Sequence, residues 1–204
     1  DQMIEQYQIE NRKENEKKKI LIAPSWQPEN IIDLCIEQIL DKYKNTSYEV
    51  IVRPHPQQVR HQMERFVEMQ ERYAKDDNIT IQTDFSSNST VMDADLLITD
   101  WSDISFEYAF TTLKPVLFID TPMKIMNSEY DKIEQKPINV TLRNVIGKAI
   151  SVNDIDNILE ISTDMLKQKD MYRKQIADAR EKHIFNIGKS RILSGKYIMK
   201  RLME

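Results

Sequence analysis

The stretch that decides the fold is Ala94-Asp95-Leu96-Leu97-Ile98-Thr99-Asp100-Trp101-Ser102-Asp103-Ile104-Ser105-Phe106-Glu107-Tyr108. Residues 95–99 are the most strand-like run in the chain, a short continuous apolar segment of the kind buried on both faces of a parallel sheet. The run stops at Asp100, and Ser102 or Asp103 can N-cap a helix from Ile104 to about Leu113. This turn has two readings. The free N–H groups and dipole of a helix start make an anion site, to which the Ser102 and Ser105 hydroxyls add donors. Ser and Asp at a helix start also serve as plain caps, and Asp103 would repel a phosphate unless it points away.

The same alternation repeats outward from this block. Before it come Ile20-Leu21-Ile22-Ala23, stopped by Pro24, and a helix from about Glu29 with Ile31, Ile32, Leu34, Cys35, Ile39 and Leu40 on one apolar stripe. A strand at 49–53 is stopped by Pro54 and Pro56, and helix 57–74, strand 78–81 and short helix 87–93 follow. After it, Pro115 opens the strand Val116-Leu117-Phe118-Ile119, which ends at Asp120-Thr121-Pro122. Residues 123–146 read as a long irregular connection. A short strand at 148–152 and helices at about 153–168, at 170–183 and from 189 onward close the chain, with Gly188 as a break. Strands alternating with helices and no hairpin signal predict an α/β fold: a Rossmann-like parallel sheet of five to six strands with helices on both faces. Residues 1–19 are almost wholly polar and read as a linker or lead-in helix, which leaves 20–204 as the domain.

With 204 residues the chain has room for one large domain. Its 40% hydrophobic and 30% charged content is too apolar for a disordered chain and too polar for a membrane-embedded one. The balance of 29 Lys and Arg against 33 Asp and Glu, net −4, excludes a general nucleic-acid binder, so any anion site must be local. Cys35 has no partner for a disulfide, and with His55, His61 and His183 it makes no spaced zinc set, so no metal or cofactor is expected. The three glycines, Gly147, Gly188 and Gly195, supply neither a GxGxxG fingerprint nor a P-loop, and no GxSxG elbow occurs. The opening Asp1-Gln2-Met3 carries no initiator Met and no apolar leader, and reads as part of a longer, cytoplasmic protein.

Four predicted strands end in polar or proline-punctuated turns: Pro24-Ser25-Trp26, Pro54-His55-Pro56, Trp101-Ser102-Asp103 and Thr121-Pro122-Met123. In a parallel sheet these ends gather on one edge, where open α/β folds bind ligands. Arg53 at the end of its strand offers a cationic fork, and the prolines around His55 aim its ring with little freedom. Rigid aim suits catalysis or phosphate neutralisation, while a histidine in a tight turn bonded to a carbonyl is the plainer alternative. Arg53, His55 and Ser102 are expected in one polar pocket, and His61 on the helix surface.

These blocks, with Lys114-Pro115-Val116-Leu117-Phe118, resemble the CDP-glycerol glycerophosphotransferase family of teichoic-acid and capsule polymer transferases, most closely over residues 20–120. The resemblance implies a GT-B-type architecture, two Rossmann-like domains facing across a cleft, of which this chain is similar to the C-terminal, nucleotide-donor half. It implies binding of CDP-glycerol or a related CDP-alditol, with a polyol-phosphate or lipid-linked acceptor reached through an absent N-terminal domain. His55 then becomes the candidate catalytic residue. Ser25, Trp26, Arg53, Trp101, Ser102, Asp103, Ser105 and Glu107 become candidate donor contacts. Asp103 departs from the Ser common in the family. Lys189, Ser190 and Arg191, in a segment loosely similar to one that closes over the donor, are further candidates, a helix start after a glycine being the alternative. A sugar-nucleotide enzyme half, such as a UDP-sugar 2-epimerase or GT-B glycosyltransferase, and a non-catalytic donor-binding module are the other readings. Membrane contact is expected to be peripheral, through a region outside this chain, with a weak basic strip at 13–19.

Overall fold

A computed structural model describes residues 16–204 together with Ile4 and Tyr7. The expected linker or lead-in helix, residues 1–19, falls largely outside the described residues. Six strands form one sheet: β1 (Lys19–Ile22), β2 (Glu49–Val52), β3 (Ile79–Ile81), β4 (Leu96–Thr99), β5 (Val116–Asp120) and β6 (Gly147–Ser151). Their order across the sheet is β3-β2-β1-β4-β5-β6 and every pairing is parallel. Strand order therefore reverses between β1 and β4, the switch point at which loops diverge and a crevice opens.

Burial sets this arrangement. β4 is buried at all of its positions, from Leu96 to Thr99, so the centre of the sheet is covered on both faces. The core joins Ile20, Leu21 and Ile22 of β1 and Val116, Leu117, Phe118 and Ile119 of β5 to the helices. At the β5–β6 contact the backbones come so close that a Cβ on Gly147 would lie 1.7 Å from the Val116 carbonyl oxygen. Only glycine fits there without moving the strand.

Across residues 16–204 the helices are α1 (Ile31–Leu34), α2 (Ile36–Tyr43), α3 (Pro56–His61), α4 (Met63–Tyr73), α5 (Ser89–Asp93), α6 (Ile104–Thr112), α7 (Ile138–Thr141), α8 (Arg143–Ile146), α9 (Ile158–Lys167), α10 (Lys169–His183) and α11 (Ser190–Met203). Two helices expected to be continuous are broken. The first breaks at Cys35 (φ −153°, ψ 6°) and the second at Gln62 (φ −134°, ψ 36°), without Pro or Gly at either place. Arg65 joins the two segments, donating to the Asp33 carboxylate at 2.6 Å, to the Ile32 carbonyl at 2.7 Å and to Gln62 Oε1 at 3.3 Å. The breaks are thus set by tertiary contacts. The connection at 123–146 is irregular as expected but contains a 3-10 turn at Tyr130–Lys132 and the one-turn helices α7 and α8. The last expected strand and the three closing helices are present, with a 3-10 turn at Val152–Asn157 leading into α9. No helix among the described residues is long and apolar enough to cross a membrane.

Candidate functional site

The loops after β1, β2 and β4 converge on a polar cleft of about 320 Å³ at the switch point. Ser25 and Trp26 reach it from the first loop, Arg53 and His55 from the second, and Ser102, Asp103 and Glu107 from the turn into α6. Phe85, after β3, and Lys124, after β5, complete the wall. Arg53, His55 and Ser102 therefore share one pocket, although 47 positions separate the last two.

Asp100 is the post around which the first and third loops are tied. It is wholly buried, and its carboxylate accepts from the backbone N–H groups of Ser25 (2.7 Å), Trp101 (2.7 Å) and Ile31 (3.1 Å). Asn30 continues the tie by accepting from Ile32 N–H at 2.8 Å and donating to the Ser25 carbonyl at 3.0 Å. Buried acceptors of backbone N–H groups fix a loop without help from regular structure. They also place the Ser25 hydroxyl, buried and without a hydrogen-bond partner, on the cleft wall.

His55 sits at the N-cap of α3, where Nδ1 accepts from Gln57 N–H at 3.2 Å. The neutral ring therefore carries its proton on Nε2, leaving that atom as the donor. Burial first, and the Lys124 charge second, push the His55 pKa below its ordinary 6.5, which keeps the imidazole neutral at pH 7. His55 and His61 both stack on the Trp26 indole, with centroids 6.3 and 5.8 Å away. His61 is on the surface, as its neighbours in sequence suggest, but it also braces a residue of the cleft wall.

Arg53 is not an open cationic fork. It donates from Nη1 to the Ser87 carbonyl (2.9 Å) and from Nη2 to Asn88 Oδ1 (3.2 Å), and its guanidinium lies over Phe85. Its two terminal nitrogens thus secure the loop after β3.

At the start of α6 no side chain makes a capping hydrogen bond, so neither Ser102 nor Asp103 acts as the expected cap. Ser105 is buried and its hydroxyl donates to the Ser102 carbonyl at 2.9 Å, so it does not join the cleft wall. Trp101 also lies behind the wall. Its Nε1 donates to the Thr121 carbonyl at 2.9 Å, and Arg143 covers its ring at 4.0 Å. Lys189, Ser190 and Arg191 are exposed at the start of α11 and none of them lines the cleft.

Three contributors escaped the sequence reading: Asp100, Arg143 and Lys124. Arg143 of α8 is buried and bonds the Asp100 carbonyl (2.7 Å) and the Asp120 carboxylate, clamping the ends of β4 and β5 together. Burial lowers its pKa, an effect opposed by Asp120. Asp100 lies where the β4 strand gives way to a turn, and that change is the sequence signal that could have found it. Arg143 and Lys124 lie in the connection after β5, where no periodicity or motif marks a residue. Among the described residues no group of three or more His, Cys, Asp or Glu could hold a metal ion.

Several solved structures share this architecture. A variant of the wall teichoic acid polymerase TagF soaked with CDPG is 19% identical, with a TM-score of 0.52 over 99% of this chain and 46% of that one. MurG from Acinetobacter baumannii is 14% identical, with a TM-score of 0.52 over 88% of this chain and 50% of that one. The C-terminal CMP-Kdo binding domain of WaaA from the same organism is 12% identical, with a TM-score of 0.52 over 88% of this chain and 97% of that domain. At these identities the likeness is one of fold. The chain spans about half the length of the TagF chain. No curated protein matches it. A family profile described as CDP-Glycerol:Poly(glycerophosphate) glycerophosphotransferase matches residues 2–186, a span that holds the whole sheet and every residue of the cleft wall. This chain belongs to that glycerophosphotransferase family.

Proposed function

We propose that residues 20–204 form the donor-binding domain of a transferase that moves glycerol phosphate, or a related alditol phosphate, from a CDP-activated donor to a wall- or capsule-polymer acceptor. The observation that carries this reading is the cleft itself. Strand-end loops at the switch point present a neutral His55 with a donor Nε2, the unpartnered Ser25 hydroxyl and the uncapped start of α6 around one diphosphate-sized space.

In the transfer, an acceptor hydroxyl oxygen bonds to the β-phosphorus of the donor while the bond from that phosphorus to the bridging oxygen breaks and CMP leaves. The hydroxyl proton goes to a base. The cleft's part is to hold the diphosphate, exclude misaligned attack and supply hydrogen bonds to the charge that gathers on the leaving phosphate. On this reading His55 Nε2–H and the Ser25 and Ser102 hydroxyls, which line the cleft, are the donors for this role. Asp103 and Glu107 bring negative charge to the same wall, a charge that suits hydroxyl groups of the donor better than its phosphates. The acceptor and the base are assigned to the rest of the longer protein, working in the cytoplasm beside the inner membrane face and bound there only peripherally.

Calorimetric titration with CDP-glycerol, CMP, UDP-GlcNAc and UDP tests this reading. The cytidine compounds are expected to bind and the uridine compounds to bind at least tenfold more weakly. The reverse order would move the domain to the sugar-nucleotide enzymes.

A further inference from the structure

We propose that Lys124 is a substrate-binding residue, the cation that meets the donor's phosphates in the cleft. This rests on the donor reading above.

The starting point is a charge imbalance. A diphosphate brought to this wall meets the carboxylates of Asp103 and Glu107, so cationic compensation is required. Two basic side chains line the cleft, Arg53 and Lys124. Arg53 has both terminal nitrogens engaged by Ser87 and Asn88. Those acceptors are neutral and tie the Arg53 guanidinium to the loop after β3 without cancelling its charge, whereas Lys124 makes no hydrogen bond or ion pair among the described residues, so its ammonium is the wall's cation that no protein acceptor holds. Burial and the charge of Lys124 keep His55 neutral, so His55 gives a hydrogen bond but no countercharge in the free protein.

The position of Lys124 is also built rather than accidental. Two hydrogen bonds from other strand-end loops hold the chain just before it: Trp101 Nε1 donates to the Thr121 carbonyl and Gln27 Nε2 to the Pro122 carbonyl, each at 2.9 Å. Pro122 restricts the backbone between them. Lys124 and Trp26 lie on the boundary between the phosphate cleft and a second hollow of about 350 Å³, and both line each space. A long cationic side chain anchored at that boundary is within reach of a ligand in the cleft. A lysine suits this role because its ammonium acts as a point charge with freely directed donors.

The other charged groups lining these two spaces are Arg53, Asp103 and Glu107 in the cleft and Glu29 in the second hollow, none of which the substitutions below remove. Wild type, Lys124→Gln and Lys124→Arg are titrated with CMP and with cytidine. Lys124 is exposed, and unchanged melting confirms that both variants fold. Lys124→Gln is expected to weaken CMP binding about tenfold, leave cytidine binding unchanged and raise the His55 pKa measured by NMR. Lys124→Arg is expected to restore most of the CMP affinity. Equal CMP affinity in wild type and Lys124→Gln overturns this inference and leaves the donor reading standing. Failure of the wild type to bind CMP overturns both.

Discussion

The turn at 100–103 and the segment at 189–191 both begin helices, and both carry small polar and charged residues suited to phosphate. They differ in what lies behind them. Behind the first, a buried carboxylate, a buried arginine and an asparagine tie three strand ends into a fixed frame. Behind the second there is little: α11 has no buried residue, and Ile192, Tyr197, Ile198, Met199, Leu202 and Met203 are more than half exposed. A site residue is made by the buried polar frame that aims it, and a local pattern of residue types does not supply one.

The strongest way to break this contrast is to remove its post. Asp100→Ala leaves the N–H groups of Ser25, Ile31 and Trp101 without their acceptor and is expected to cost about 3 kcal/mol or more by denaturant unfolding. Deleting residues 190–204, fifteen residues against one, is expected to change stability by less than about 0.5 kcal/mol. A larger loss on the deletion than on the point change would invert the comparison.

Arg143→Met comes next. It keeps bulk over Trp101 and Phe118 but loses the bonds to Asp100 and Asp120, at an expected cost of about 2 kcal/mol. No change in the midpoint of unfolding would show that the β4 and β5 ends hold without the clamp.

Within the cleft, His55→Ala should weaken CMP binding by about 1–3 kcal/mol, the range for a hydrogen bond to a charged group. His61→Ala touches only the stacking on Trp26 and should cost roughly 0.5 kcal/mol or less. Equal effects would mean that the bracing of Trp26, rather than the His55 donor, carries the binding.

The smallest effect concerns pH. The His55 pKa is lower in the folded chain than its ordinary 6.5, so the unfolded chain takes up this proton first as pH falls. The His55 contribution to stability is present above about pH 6.5 and is lost as pH drops below it. His55→Gln should flatten that part of the stability–pH profile, and an unchanged slope would place the pKa at its ordinary value.

The strands were legible because short apolar runs stopped by Pro, Asp or Ser leave little choice of element, and their parallel order followed from the missing hairpin signals. The cleft was legible as far as strand ends alone could place it, which covers Ser25, Trp26, Arg53, His55, Ser102 and Asp103, while Glu107, inside α6, was marked only by the family resemblance. How each side chain is engaged was not. Arg53 ties both terminal nitrogens to Ser87 and Asn88, and Ser105 gives its hydroxyl to Ser102, because those partners come within reach only when the loops are packed. The breaks at Cys35 and Gln62 were hidden for the same reason.

Amide NMR of the uniformly ¹⁵N-labelled chain titrated with CMP locates the proposed donor site, the switch point between β1 and β4. Shifts are expected only in the loops at 23–27, 53–56, 85–88, 102–107 and 121–125, with α10 and α11 silent. Shifts centred on α10 and α11, or none at millimolar CMP, would contradict it.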